Sequence, residues 1–266
     1  MIVLDDGVTL LAPGGAHLPA LEALVVADVH AGYVVDLQRR GYGLPDGDDA
    51  ALHARLRALL DAADPAHVVV AGDLVHGPAA AHPRAHPPPL DQLLDLLRGR
   101  RVTVVLGNHD RAVARALEDR GVEAVTAWTL GPHTVVHGDE DPTVLRERRA
   151  EALSRGGRVV VGHIHPALNL SDGFGARGRA PAFVSAPGLL ALPALTPLAR
   201  GANLYDTEYA AALTAWADPA ELQVAVVVGP EVIHTGSLAA LWTLRGIGPK
   251  RARPAAAPAG RRRRGA

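Results

Sequence analysis

Length and composition bound the fold of this chain and exclude several kinds of chemistry. With 266 residues, 48% of them hydrophobic, the chain is long enough to bury one large core. The absence of cysteine excludes disulfide bonds, thiolate zinc sites and cysteine nucleophiles, and it leaves His, Asp and Asn as the available metal ligands. The sequence has no apolar run of about eighteen residues, so we expect no membrane span, no signal peptide, no membrane partner and a cytoplasmic location.

The formal net charge of −1 conceals two parts of opposite charge. Residues 245–266 contain eight basic residues and no acidic residue, whereas residues 1–244 contain 19 basic and 28 acidic residues. We therefore predict one domain over 1–244 and a basic, largely disordered C-terminal tail over 245–266. An acidic domain suits a site for cations, and a basic tail suits a polyanion.

In chain order, the predicted elements begin with a hairpin over 1–12, whose turn is Asp6-Gly7. The apolar spacing then predicts strands at 24–27, 67–71 and 101–106, alternating with helices at 49–63, 90–98 and 111–120. Arg55 and Arg57 are expected to face outward from the first of these helices. Alternation of this kind predicts parallel strands with crossover helices.

The later apolar runs predict further strands at 134–136, 158–161, 182–184, 222–228 and 232–234. The last two are joined by Gly229-Pro230-Glu231, which predicts a closing hairpin. A hairpin at the end of an otherwise alternating chain indicates a second, mixed sheet. The predicted fold class is therefore α/β, as a sandwich of two sheets.

Five short polar clusters follow predicted strands within the first 165 residues. They are Asp28-Val29-His30, Gly72-Asp73, Gly107-Asn108-His109-Asp110, His137-Gly138 and Gly162-His163-Ile164-His165. Side chains just past the carboxyl ends of strands in an α/β sheet converge on one crevice, so we expect the clusters to meet. Oxygen and imidazole donors without thiolates suit Mn²⁺, Fe or Zn²⁺ better than Ca²⁺. The clusters therefore predict a site for two neighbouring metal ions.

The order D-x-H, G-D, G-N-H-D, H and G-H-x-H over 24–166 resembles the calcineurin-like metallophosphoesterases. The resemblance implies a four-layer α/β/β/α sandwich with two mixed sheets. It also implies hydrolysis of phosphodiester bonds by a hydroxide that two divalent ions share. Mn²⁺ is the expected ion, with Fe, Zn²⁺ and Mg²⁺ as alternatives.

The same resemblance implies a role for each residue of the clusters. One ion would be held by Asp28, His30, Asp73 and His165, and the other by Asp73, Asn108, His137 and His163. Asp73 would then be the bridging carboxylate. His109 would face the scissile phosphate, where it would stabilise charge or protonate the leaving oxygen.

Two further positions extend the candidate catalytic set beyond His109. Many family members have a carboxylate three residues after the bridging Asp, where this chain has His76. A histidine there resembles the DNA-processing branch of the family. Asp110 would either orient His109 or cap the following helix, and we favour capping.

The stretches 38–45 and 192–201 resemble the ligase-associated DNA damage response endonucleases. This resemblance implies DNA as the substrate and a DNA ligase or helicase as a repair partner. Two other functions stay open: a phosphoesterase of a nucleotide, cyclic nucleotide or pyrophosphate, and a non-catalytic nucleic-acid-binding scaffold. The segment 246–252, GIGPKRA, resembles the hairpin of a helix-hairpin-helix DNA-binding motif, while a solvated basic tail is the simpler interpretation.

Overall fold

The computed structural model describes residues 1–43, 49–81, 88–171 and 177–247. Most of the predicted basic tail, including residues 248–252 of the GIGPKRA segment, lies outside the described residues, and so do residues 44 and 45 of the stretch 38–45. The predicted domain boundary after residue 244 therefore stays a prediction. Within the described ranges, no helix is long and apolar enough to cross a membrane.

In the part of the chain that the structure describes, the first sheet has seven strands, arranged in the order of the chain. The strands β1 to β4 pair antiparallel, so the predicted hairpin over 1–12 is confirmed, and β4 to β7 pair parallel. Their bounds are β1 Ile2–Val3, β2 Thr9–Leu11, β3 Gly15–Leu18, β4 Ala23–Val26, β5 His67–Ala71, β6 Arg101–Val105 and β7 Glu123–Val125.

The second sheet has nine strands within the described residues. Their bounds are β8 Trp128–Leu130, β9 His133–Val136, β10 Val159–Val161, β11 Pro166–Ser171, β12 Arg177–Ala186, β13 Leu189–Ala191, β14 Ala202–Asn203, β15 Gln223–Val228 and β16 Glu231–Ser237. The order is β14-β11-β12-β13-β10-β9-β8, and the hairpin β15-β16 joins through β12. Strands β9, β10 and β13 are parallel, whereas β12 is antiparallel to its neighbours. Both sheets are therefore mixed, as predicted.

Helices cover the outer faces of the two sheets. Their bounds are α1 Tyr33–Arg39, α2 Ala50–Ala63, α3 Pro89–Leu96, α4 Ala114–Glu118, α5 Pro142–Ser154, α6 Ala211–Trp216 and α7 Leu238–Leu244. Helices α2, α3 and α4 share a buried cluster with the first sheet, and α5, α6 and α7 share another with the second sheet. A third cluster contains residues of both sheets and lies between them.

Strand residues alternate between these clusters with the two-residue period of a strand. In β5, Val68 and Val70 face the helices while Val69 faces the other sheet. Because both faces are buried, the strands are continuous apolar runs. The predicted four-layer α/β/β/α sandwich is confirmed.

Two differences from the sequence prediction have a physical cause. Helix α5 was not predicted, because five of its 13 residues are charged and only Leu145 and Ala152 are buried in it, so it has no wide apolar stripe. The helix predicted at 111–120 instead begins as a 3₁₀ turn at Arg111–Val113 and continues as the short α4. Neither difference moves a strand whose carboxyl end carries a polar cluster.

Candidate metal centre

The five polar clusters lie at the carboxyl ends of β4, β5 and β6 in the first sheet and of β9 and β10 in the second. Backbone hydrogen bonds connect neighbouring strand ends: the N–H of Asp28 donates to the carbonyl of Gly72 at 3.0 Å, and the N–H of Gly162 donates to the carbonyl of His137 at 2.9 Å. The N–H of His163 donates to both carboxylate oxygens of Asp28, at 3.1 and 2.9 Å, and so joins the two sheets. The structure thus brings the five clusters together.

The first donor group contains Asp28, His30 and His165, whose ligand atoms lie within 4.8 Å of one another. Nε2 of His165 lies 3.0 Å from Oδ1 of Asp28. Burial lowers the pKa of His30 to about 2, and the neighbouring imidazoles, above all that of His165, act in the same direction. For His165, burial lowers the pKa, but the hydrogen bond to Asp28 and the charges of Asp28 and Asp73 together outweigh burial, and the net shift is upward. His30 is therefore a neutral imidazole, the form that binds a cation.

The second donor group contains Asp73, His137 and His163, again within 4.8 Å of one another. Nδ1 of His137 lies 3.2 Å from the carbonyl oxygen of Ala71, so Nδ1 carries the proton and Nε2 keeps its lone pair. That Nε2 lies 3.1 Å from Oδ1 of Asn108 and 3.1 Å from Nδ1 of His163. Asn108 therefore adds a fourth donor to this group.

Asp73 lies between the two groups. One carboxylate oxygen, Oδ2, is 3.7 Å from Nε2 of His30 and 3.6 Å from Nε2 of His137. The other, Oδ1, accepts the backbone N–H of His109 at 3.0 Å. Asp73, the predicted bridging ligand, thus faces one histidine of each group.

Most of the predicted ligands have a left-handed backbone. Five of the seven have φ between +49° and +64°, namely Asp28, His30, Asp73, His163 and His165. Among the described residues, only two other non-glycine residues, Glu22 and Asp64, have positive φ. Such conformations cost on the order of 1–3 kcal/mol each and cluster at functional sites, where the surrounding structure holds them. The strain supports a functional role for this place in the fold.

Glycines allow two of the clusters to approach their neighbours. A Cβ at Gly72 would lie 1.9 Å from Nδ1 of His137, and a Cβ at Gly107 would lie 2.2 Å from Oδ1 of Asp73. Gly72 also has φ of +84°. A methyl group at either position would therefore displace a predicted ligand.

Replacement of Gly107 tests this close packing. We expect Gly107→Ala to displace the Asp73 carboxylate and to weaken metal binding by at least about 10-fold, with a parallel loss of activity. Gly43→Ala is the matched control, because a Cβ at Gly43 meets no atom of the described residues within 4 Å. Metal titration of both purified variants measures the effect, and unchanged metal affinity in Gly107→Ala would contradict it.

His109 lies beside the two donor groups and belongs to neither of them. Its Nδ1 donates to the backbone carbonyl of His76 at 2.6 Å. This bond fixes the orientation of the ring and leaves Nε2 as the nitrogen that can face a substrate. The His76 carbonyl therefore orients the His109 ring, which is the role of the carboxylate side chain in a His-Asp pair.

The side chain of His76 packs behind His30. Its Nδ1 lies 3.4 Å from Nδ1 of His30, its Nε2 lies 3.8 Å from Oδ2 of Asp36, and its ring centroid is 4.1 Å from that of Tyr33. The rings of His30, His76 and His109 also form a third group of nitrogen donors within 4.8 Å. The structure thus places the predicted catalytic His76 as a residue that positions His30 and His109.

Asp110 is completely buried under the ligand loops. Its carboxylate accepts the backbone N–H groups of Leu74, Val75 and Gly107, at 3.2, 3.1 and 3.1 Å. Burial raises the pKa of Asp110 to about 6, although these N–H groups oppose the shift. It makes no side-chain bond to the following helix, so the capping prediction is wrong. A buried carboxylate with these partners joins the loops of Asp73 and Asn108 rather than contacting a substrate.

The family model of the calcineurin-like phosphoesterase superfamily domain matches residues 21–194 of the chain, a range that contains all five clusters. The chain belongs to this superfamily. A crystal structure of nuclease MPE from Pseudomonas putida has a similar fold, with a TM-score of 0.61. The two chains are 24% identical, and the similarity covers 88% of this chain and 98% of that chain. No curated protein matches the chain.

The metal pair of the calcineurin-like phosphoesterases fits the donors of this chain. The first and second donor groups contain only carboxylate and imidazole donors, with an amide oxygen close by, and no thiolate exists in the chain. This chemistry suits divalent first-row metals. The carboxylate oxygens and imidazole nitrogens of each group lie within 4.8 Å of one another, and a cation between them would give each of these atoms a partner. The seven predicted ligands are Asp28, His30, Asp73, Asn108, His137, His163 and His165.

The structure adds residues that the sequence analysis did not place at the site. The backbone N–H of Leu195 donates to the carbonyl of Ala27 at 2.9 Å, and that of Thr196 donates to the carbonyl of Asp28 at 3.3 Å. The prediction that Arg55 faces outward is wrong, because its guanidinium donates to the carbonyl of Leu195 at 3.0 Å. Arg55 is three residues after the buried Leu52, so helical spacing could have placed it beside the apolar stripe.

Proposed function

We propose that this calcineurin-like phosphoesterase is a dinuclear metal-dependent phosphodiesterase that cleaves DNA. The observation that carries the proposal is the position of Asp73 between two donor groups, with the imidazole of His109 beside them. A bridging carboxylate holds two cations at the short separation that in-line displacement at phosphorus requires. We propose Mn²⁺ as the ion, with Fe, Zn²⁺ and Mg²⁺ as alternatives.

Two divalent ions in such a site supply Lewis acidity and activate water at neutral pH. The chain itself supplies the ligands and a proton donor. His109 has its Nδ1–H bonded to the His76 carbonyl, so its Nε2 is available to pass a proton to the leaving oxygen. Asp110 keeps the two ligand loops together through three backbone N–H groups.

Three observations support DNA as the substrate. The similar structure from Pseudomonas putida is that of a nuclease. His76 occupies the place where many family members have a carboxylate, and a histidine there resembles the DNA-processing branch of the family. The C-terminal residues 245–266 carry eight basic residues without an acidic one, which favours binding to a polyanion. A role in repair beside a DNA ligase or helicase is part of this proposal.

A panel of substrates tests the proposed function. The metal-free full-length chain is loaded with Mn²⁺, Fe²⁺, Zn²⁺ or Mg²⁺ and incubated with aryl mono- and diesters, nucleotides, cyclic nucleotides, and single- and double-stranded DNA. We expect hydrolysis of the aryl diester and of DNA. Hydrolysis of a nucleotide or cyclic nucleotide with DNA left intact would favour the small-substrate phosphoesterase. If no substrate of the panel is hydrolysed, the non-catalytic nucleic-acid-binding scaffold is favoured.

Removal of the basic tail tests its contribution. A chain that ends at Ile247 keeps Arg245 and loses the other seven basic residues of the tail. We expect it to bind DNA more weakly than the full chain at low salt, with a smaller difference at high salt. Hydrolysis of an aryl diester should not change, because the described part of the site lies before this residue. Equal DNA affinity of the two chains across the salt series would show that the tail does not contribute.

A further inference from the structure

A large groove begins at the metal ligand His165 and runs away from the metal centre. Its volume is about 870 Å³, and its walls are β11, β12, the segment 194–201 and the end of α7. The described lining contains no Asp or Glu. It contains five arginines, namely Arg55, Arg177, Arg179, Arg200 and Arg245.

Among the described residues, these arginines lack the carboxylate partners that most arginines elsewhere in the fold have. Eleven described arginines form ion pairs with Asp or Glu within 4.0 Å. None of the five groove arginines forms such a pair with a described residue. In a domain with an excess of acidic residues, this absence of neutralisation makes the groove a local positive region.

Neutral groups hold three of the guanidinium groups in place. Arg179 donates to Oδ1 of Asn169 at 2.8 Å and to the carbonyl of Gly201 at 2.9 Å. Arg55 is held by a backbone carbonyl and is half-buried. The guanidinium of Arg245 lies 4.8 Å from the ring centroid of Tyr205. Such contacts orient a cation and leave its full charge for an anion.

We propose that this groove binds the sugar-phosphate backbone of the nucleic-acid strand that is being cut, along the nucleotides that flank the scissile phosphate. The proposal rests on the proposed function, because His165 belongs both to the donor groups and to the groove wall. Cations distributed over both walls match phosphates that repeat along a strand, whereas a mononucleotide presents its charge at one point. Arginine contacts to phosphates give affinity without sequence preference.

Two exposed arginines give a variant with little risk to folding. Arg177 and Arg200 are both exposed, so we compare the double variant Arg177→Gln/Arg200→Gln with the control Arg57→Gln/Arg146→Gln. Arg57 and Arg146 are also exposed, and neither forms an ion pair with a described residue. Neither lines the groove, and their replacement removes the same charge. Binding of a fluorescent single-stranded oligonucleotide of about twelve nucleotides is measured by anisotropy in EDTA. Hydrolysis of bis(p-nitrophenyl) phosphate is measured with Mn²⁺.

We expect the groove variant to bind the oligonucleotide on the order of 10-fold more weakly at low salt than the control variant. The slope of log affinity against log salt should become shallower by about 1.4, since each lost contact to a single strand removes about 0.7. The aryl diester has no flanking phosphates, so it loses no contact when the two arginines are replaced. Its hydrolysis by the groove variant should therefore stay within about twofold of the wild type. Equal DNA affinity of the groove and control variants would overturn the proposal.

Two competitors and one activity measurement separate the alternatives. The first competitor is a mononucleotide. If it displaces the labelled oligonucleotide as effectively as an unlabelled oligonucleotide does, the groove is a small-anion site and the proposal is overturned. Stronger displacement by poly-glutamate would indicate an acidic peptide and also overturn it. If the wild type hydrolyses the aryl diester but not DNA, the proposed DNA cleavage is wrong. The binding measurement in EDTA still shows whether the groove binds nucleic acid.

Discussion

Replacement of His109 by alanine is expected to reduce DNA cleavage by about 10²–10⁴-fold while two metal ions per chain stay bound. The ring belongs to neither the group around Asp28 nor the group around Asp73. The backbone N–H of His109, which donates to Oδ1 of Asp73, is kept in alanine. Turnover and metal content of the same purified preparation measure both effects.

The leaving group distinguishes proton donation from other roles of His109. Nitrophenolate leaves without a proton, whereas the alkoxide of a DNA sugar needs one. We therefore expect His109→Ala to lose much less activity on bis(p-nitrophenyl) phosphate than on DNA. Equal losses on both substrates would indicate that His109 stabilises charge on the phosphate instead.

His234→Ala is the control for loss of an imidazole, because His234 is exposed on β16, away from the clusters. It should keep the activity of the wild type on both substrates. DNA cleavage by His109→Ala at the rate of this control, or loss of metal from the His109 variant, would contradict the assigned role.

Replacement of Asp73 by alanine is expected to remove both metal binding and activity. Oδ2 of Asp73 faces His30 at 3.7 Å and His137 at 3.6 Å, so its loss takes a carboxylate from both donor groups at once. The second group then has no carboxylate, and the first keeps only that of Asp28. We expect activity to fall by several orders of magnitude, and metal analysis to show less than one ion per chain.

Thermal unfolding gives a readout of this prediction that does not depend on activity. A bound ion stabilises the folded chain by about 2.7 kcal/mol when its concentration is 100 times Kd. The melting temperature of the wild type should therefore rise with added Mn²⁺, whereas that of Asp73→Ala should not.

Asp64→Ala is the matched control, because Asp64 also has positive φ, at +37°, but lies far from the donor groups and is exposed. Its melting temperature should rise with Mn²⁺ as that of the wild type does. A metal-dependent rise of equal size in Asp73→Ala would show that Asp73 is not a shared ligand.

The order of strands and donors could be predicted from the sequence because both are local signals. The apolar runs of β4, β5, β6, β9 and β10 are buried on both faces, so they are visible as continuous Val-rich segments. Each donor cluster directly follows such a run. The motif could then be identified without knowledge of distances.

Local signals failed where packing, not periodicity, sets the structure. Helix α5 buries few residues, so its charged sequence gave no pattern. The capping role of Asp110 was a reasonable local interpretation, but its partners Leu74 and Val75 lie about 35 residues earlier in the chain. An Asp side chain can accept hydrogen bonds from the N–H groups of its own helix or from those of another segment. Here the tertiary packing buries Asp110 against another segment, so it accepts from that segment.

The sequence by itself determined the layered fold class, the family and the set of donors, because strand period and ligand order are properties of short segments. Only the tertiary structure decided how those donors are supported and what lies beside them. The carbonyl of His76 on His109 is a backbone contact that no residue type signals. Arg55 of α2 and Arg179 of β12 are distant in the chain, and they line the same groove only because the two sheets pack face to face.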